Sequence, residues 1–144
     1  MGATVVQNPD LVVAAVSYVG IYDMVRSELD PNGEFNIPEF GTVEDPDQFA
    51  ALYAYSPYHN VKDGVSYPPI LLPTGANDPR VAPLHSRKFT ARMQAAQNGG
   101  GQVLLRTSDD TGHGGGTPLD ERIEQLTDQY AFVFHHLNVP VGDQ

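Results

Sequence analysis

A chain of 144 residues fits one domain, and 40% apolar residues are enough for a core. Its net charge of −10 and its scattered Lys and Arg argue against nucleic acid as a partner, and the lack of cysteine excludes disulfides and thiolate chemistry. No apolar run approaches the roughly 20 residues of a bilayer-spanning helix, and MGATVVQNPD does not read as a secretory signal. The expectation is therefore a soluble protein with no membrane partner, of the cytoplasm or the periplasm.

LVVAAVSYVG (Leu11–Gly20) follows the turn-like NPD, and its run of valines predicts a strand buried on both faces. Residues 20–43 are punctuated by Pro and Gly and predict a long loop with a short helix at its start. Such loops in compact domains are usually functional. DPDQFAALYAYSP predicts a helix, with Asp45 as N-cap, Pro46 at the first position, Gln48 completing a capping box and Pro57 ending it. YPPILLPTG (Tyr67–Gly75) is a second buried strand.

PLHSRKFTARMQAAQNGG predicts a helix with Leu84, Phe89, Met93 and Ala96 on one side and a C-cap at Asn98 and Gly99. GQVLLRTSD is a third strand. In the last helix Thr117 is the expected cap, Pro118 opens the first turn, and Asp120 stands three residues after the cap. Leu119, Ile123, Leu126, Tyr130, Val133 and Leu137 make a continuous apolar stripe along it. Strands separated by helices imply an α/β domain with a short parallel sheet and right-handed crossovers. Ligands of such sheets sit beyond the carboxyl ends of the strands.

Two residues lie at such ends. Asp78, in GANDPRVAPLHS, follows the second strand, and His113, in TGHGGG, follows the third. Adjacent parallel strands are about 4.8 Å apart, so the two side chains are within reach of one another. A histidine takes a proton from a hydroxyl when a carboxylate holds its other nitrogen. Pro79 stiffens the turn that aims Asp78, and the glycines flanking His113 let backbone approach a substrate. Singly, Asp78 fits a simple Asx-turn and His113 a loop histidine. Together, acid before base on successive strand ends, they match the second half of the Ser…Asp…His order of α/β-hydrolases.

YAYSPYHNV, YPPILLPTGANDPRVAPLHSRKF and TGHGGGTPLDERIEQLTDQYAFVFHHLNV carry a resemblance over nearly the whole chain. It resembles the C-terminal part of the catalytic domain of the prolyl oligopeptidase family of serine peptidases, an α/β-hydrolase fold. The resemblance implies that Asp78 is the triad acid, His113 the triad base, and Arg80 a contact to the substrate main chain. Read without it, Arg80 is a cation in a surface salt bridge or on the approach to the following helix. Phe40, in EFG, lines the specificity pocket or packs under the loop. Asn36 stands where proline-selective members carry a tryptophan, which leaves proline selectivity open.

The nucleophile is another matter. None of Ser17, Ser27, Ser56, Ser66, Ser86 and Ser108 sits in G-x-S-x-G, and Ser66 in GVSYP comes nearest. The resemblance implies that the serine, the oxyanion donors and the propeller domain belong to sequence outside these residues, with Met1 inside the helix that follows the serine. The chain alone is then expected to be almost inert toward peptides and esters. The strand edge at VVAAV is expected to pair with a second copy or with the rest of the catalytic domain. A non-catalytic α/β interaction or scaffold module is the alternative.

No cofactor or metal is expected, since Asp109 and Asp110 beside His113 fit no zinc spacing. His135 and His136 favour the negative end of a helix. Tyr53, Tyr55 and Tyr58 form an aromatic packing cluster, and His59 and His85 are expected to make local hydrogen bonds.

Overall fold

The structure, a computed structural model, describes residues 1–140. Its centre is β2 (Ile70–Gly75), six consecutive buried residues between β1 (Ala15–Val16) and β3 (Val103–Ser108). The order is β1-β2-β3 and both pairings are parallel, as expected from strands separated by helices. β2 and β3 pair in register from Ile70 opposite Val103 to Gly75 opposite Ser108, so the two strands end side by side. The helices are α1 (Gly2–Gln7), the single turn α2 (Ile37–Phe40), α3 (Pro46–Tyr55), the single turn α4 (Pro57–Asn60), α5 (Leu84–Ala96) and α6 (Leu119–Leu137).

β1 is far shorter than the strand expected over Leu11–Gly20, and it is not buried on both faces, since Val13 and Tyr18 are exposed. Pro73 supplies the reason. The chain runs on beside β2, with Ala15, Ser17 and Val19 donating to the carbonyls of Pro69, Leu71 and Pro73 at 2.9, 2.9 and 3.1 Å. In this register the Ser17 carbonyl faces the nitrogen of residue 73, and proline has no N–H to give. The hydroxyl of Tyr22 takes that place, 3.1 Å from the Ser17 carbonyl and 2.8 Å from its Oγ. The ladder therefore stops after Val16. Val19 then turns with φ 39°, a left-handed value that β-branched residues rarely adopt.

Alternate residues of β2 face opposite ways. Ile70 and Leu72 join Phe89 and Met93 of α5 in the core, where Tyr22 stacks on Phe89 at 4.4 Å. Leu71 faces a cavity of about 440 Å³ beneath α6. Leu84 does not share the buried face of α5, which is made by His85, Ser86, Phe89, Thr90, Met93 and Ala96. That helix ends earlier than Asn98–Gly99. Gln97 is its cap, turning into extended backbone and donating its N–H to Met93 at 3.0 Å.

The expected Asp45 cap forms, with Oδ1 accepting from the N–H groups of Asp47 and Gln48 at 2.9 and 3.0 Å. The capping box does not close, because Gln48 Oε1 accepts from Thr42 N–H instead, at 2.8 Å. Thr117 does not cap α6. Pro118 stands at that position, and the Thr117 hydroxyl donates to the Gly114 carbonyl at 3.0 Å.

The loop of residues 20–43 is present, but it starts with extended chain and turns rather than a helix. Its helical turns fall at 27–29, 33–36 and 37–40. The stripe on α6 looks outward. Leu119, Ile123, Tyr130 and Leu137 are about half exposed or more, and Phe132 is the helix's buried residue.

Candidate active site

The site is built where β2 and β3 end together. Gly75 closes β2 against the loop after β3, and a Cβ there would lie 2.3 Å from the Gly112 carbonyl oxygen and 2.4 Å from that of Thr111. Only glycine allows this approach, and it brings the two loops into contact. Ala76 N–H then donates to Ser108 at 2.8 Å and Asn77 N–H to Thr111 at 3.1 Å. The Asn77 amide Nδ2 donates to the Asp109 carbonyl at 2.7 Å.

Asp78 is next, its side chain wholly buried. Oδ1 accepts from the N–H groups of Arg80 and Val81 at 2.8 and 3.0 Å, which is the Asx-turn. Oδ2 accepts from His113 Nδ1 at 2.8 Å. The turn and the acid–base pair were alternatives in sequence; here one carboxylate makes both. Nδ1 must carry the proton toward the carboxylate, which leaves Nε2 as the free base in the neutral ring. Among the described residues Nε2 has no protein hydrogen-bond partner, and a third of the His113 side chain is exposed.

A small cavity of about 50 Å³ lies beside His113, walled by Tyr18, Val19, Thr117 and Gln125. Under it, Ser108 Oγ accepts from Gln125 Nε2 at 2.9 Å and is also bonded by Arg106. Arg106 in turn pairs with Glu121 at 2.8 Å and Asp128 at 2.7 Å, tying α6 to β3. Tyr18 and Val19 went unnoticed in the sequence as site residues.

The other expected residues are placed less centrally. Arg80 is exposed, and among the described residues no carboxylate lies within ion-pair distance of it. Phe40 lines a separate cavity of about 450 Å³ with Ile21, Met24, Tyr55 and Pro57, which shares the wall of Tyr18 with the His113 cavity. The structure does not bring Phe40 and His113 into one cavity. Tyr53 and Tyr58 pack their rings against His59, at 5.3 and 5.2 Å, while Tyr55 belongs to the Phe40 cavity.

His59 Nδ1 bonds Ser56 Oγ at 2.9 Å, a local partner as expected. His85 is different, because its partners come from 55 and 62 residues away. His136 packs edge-on against Phe132 at 4.6 Å, and burial, with His135 beside it, pushes its pKa down. Both histidines stand in the last turn of α6, as expected, and a charge is disfavoured on the His136 ring.

Away from this site, Asp23 is buried in a charged cluster. Burial raises its carboxyl pKa, but the bond from Lys88, its charge and that of His59 outweigh this and hold the pKa below the usual 3.8. Burial lowers the pKa of His59, more than Asp23 raises it.

The sequence pattern of the prolyl oligopeptidase family matches residues 1–140. The chain belongs to the prolyl oligopeptidase family. This family member is 39% identical over 145 residues to the prolyl endopeptidase of Dictyostelium discoideum, covering 99% of this chain and 19% of that protein. It is 35% identical over 140 residues to the prolyl endopeptidase of Elizabethkingia meningoseptica, covering 96% of this chain and 20% of that one.

Among solved structures, a prolyl endopeptidase superposes with a TM-score of 0.93 at 42% identity, over 96% of this chain and 20% of that chain. Oligopeptidase B from Leishmania major does so at 0.89 and 27%, over 96% and 19%. This family member thus spans about a fifth of the length of the relatives it matches. Its strands and helices are part of the serine-peptidase catalytic domain, an α/β-hydrolase fold, as the sequence implied.

Proposed function

We propose that this chain carries the acid and the base of a Ser–Asp–His triad acting on peptides or esters, and that the serine lies in sequence outside these 144 residues. The observation that carries the reading is the 2.8 Å bond between buried Asp78 and His113, with Nε2 left open. In this reading Nε2 takes the serine proton as the hydroxyl attacks the carbonyl and returns it to the leaving group. Asp78 holds the tautomer and stabilises the imidazolium. Arg80, exposed two residues beyond Asp78, binds the substrate main chain, and Phe40 lines the pocket for a substrate side chain.

The same reading gives the chain its partner. The outward stripe of α6 and the free edge of β1 fit the remainder of a catalytic domain, since the matched relatives are about five times as long. Without that remainder the two apolar surfaces favour pairing of copies. A fluorophosphonate probe tests both statements. The chain alone should stay unlabelled, and label should appear on the serine-bearing polypeptide once the preceding part of a catalytic domain is added. Labelling of this chain by itself would overturn the proposal.

A further inference from the structure

A second aspartate–histidine pair lies away from the first. His85, at the start of α5, is buried. Its Nδ1 faces the backbone N–H of Asp23 at 3.2 Å, and its Nε2 faces Asp30 Oδ2 at 2.5 Å. One protonation state satisfies both contacts. Nδ1 must accept from the amide, so Nε2 carries the hydrogen and donates to Asp30. Lys88, one turn further along α5, reaches the Asp23 carboxylate, which also accepts from Arg26 N–H at 3.2 Å. The loop of residues 20–43 is thus pinned to α5 at two points, Asp23 and Asp30.

That loop touches the site just beyond the second pin. Asn32 Nδ2 donates to the carbonyl of Pro79, the residue that follows Asp78. Gly33 closes the tight turn that carries Asn32. Its N–H donates to Asp30 at 2.8 Å, and a Cβ on it would lie 2.1 Å from the Ser27 carbonyl oxygen. Pro79 has no N–H, so its carbonyl is the one backbone hydrogen-bonding group it offers to a neighbour.

We infer that His85, Asp30 and Asn32 are positioning residues for Asp78: the histidine fixes the loop, and the loop fixes the turn that aims the carboxylate at His113. The inference rests on the Asp78–His113 pair being the working acid and base. None of the three is within contact of a reacting atom. They act by limiting how far the Asp78–Val81 turn can move, the kind of misplacement to which catalytic geometry is most sensitive.

The test uses the 144-residue chain and needs no activity. The proton on His113 Nδ1, shared with Asp78, is followed by nitrogen-15 NMR of the imidazoles, and its exchange with water is timed. The wild type should show a protected Nδ1 proton. Asn32→Ala removes only the last link, from a partly exposed side chain, and should speed that exchange about threefold to tenfold, the factor one hydrogen bond is worth. His85→Leu should do at least as much, whereas His85→Gln, which keeps an acceptor and a donor, should restore most of the protection.

Methyl spectra of the core should stay unchanged in Asn32→Ala, which separates positioning from general loosening. If the wild type lacks a protected Nδ1 proton, the acid–base pair itself is wrong. If it has one and Asn32→Ala and His85→Leu leave its exchange unaltered, the pair stands and the positioning inference falls.

Discussion

Tyr22→Phe isolates one hydroxyl. The ring is buried and stacked on Phe89 at 4.4 Å, and phenylalanine keeps both features. What is lost is the donor that serves the Ser17 carbonyl opposite Pro73. A buried acceptor left unpaired costs about 1–3 kcal/mol. In urea unfolding of the chain the midpoint should fall by that energy divided by the slope, which stays constant. Pro73→Ala supplies the decisive comparison, because alanine brings an N–H to the position facing Ser17. In that background the same Tyr22→Phe change should cost about 1 kcal/mol less, the net worth of one hydrogen bond, and any effect of Pro73→Ala alone cancels in the cycle. An equal cost in both backgrounds would show that residue 73 and Tyr22 do not share the Ser17 carbonyl, and the account of why β1 is short would be wrong. Burial also pushes the Tyr22 hydroxyl up to about 12 from 10.0. The stability this represents is intact below pH 10 and lost as pH rises toward 12, so Tyr22→Phe should flatten the alkaline limb.

Three other outcomes follow from the geometry. Gly75→Ala drives a methyl into the Thr111 and Gly112 carbonyls and should cost about 1–3 kcal/mol of stability, with loss of the protected His113 proton in NMR. Asp78→Asn keeps the shape but offers the imidazole the wrong tautomer. In a completed site it should lower kcat about 10⁴-fold while hardly moving KM, and an unchanged kcat would remove Asp78 from the triad. The Asp23–Lys88 pair should be seen in acid. Because the folded pKa of Asp23 lies below 3.8, its contribution is complete above that pH and declines as pH falls further. Lys88→Met should remove this acid dependence from urea midpoints measured between pH 2 and 7.

Much of the site was legible because its signals are local. Asp78 and His113 stand immediately after strand ends, and chain order alone placed them side by side. The Asp45 cap is equally local and forms as expected. What could not be read depends on register or on partners distant in sequence. Pro73 is plain in YPPILLPTG, yet its effect falls on Ser17, which only the pairing of β1 with β2 reveals. His85 has the look of a histidine satisfied nearby, and its partners are Asp23 and Asp30, far along the chain. The periodicity of α6 gave its apolar stripe correctly, but periodicity does not say what covers a stripe; Ile123 and Tyr130 face outward. Thr117 lost the cap because its hydroxyl bonds Gly114, a choice made by the glycine turn before it.

The two oxygens of Asp78 have separate duties, one held by the amides of Arg80 and Val81 and the other by the imidazole. A carboxylate gripped in this way has no torsional freedom left to lose. In the triad proposed above, the negative pole already points at the ring on which positive charge develops, and no dipole has to swing round during the proton transfer. The reorganisation that water would charge for the same event was met when the chain folded.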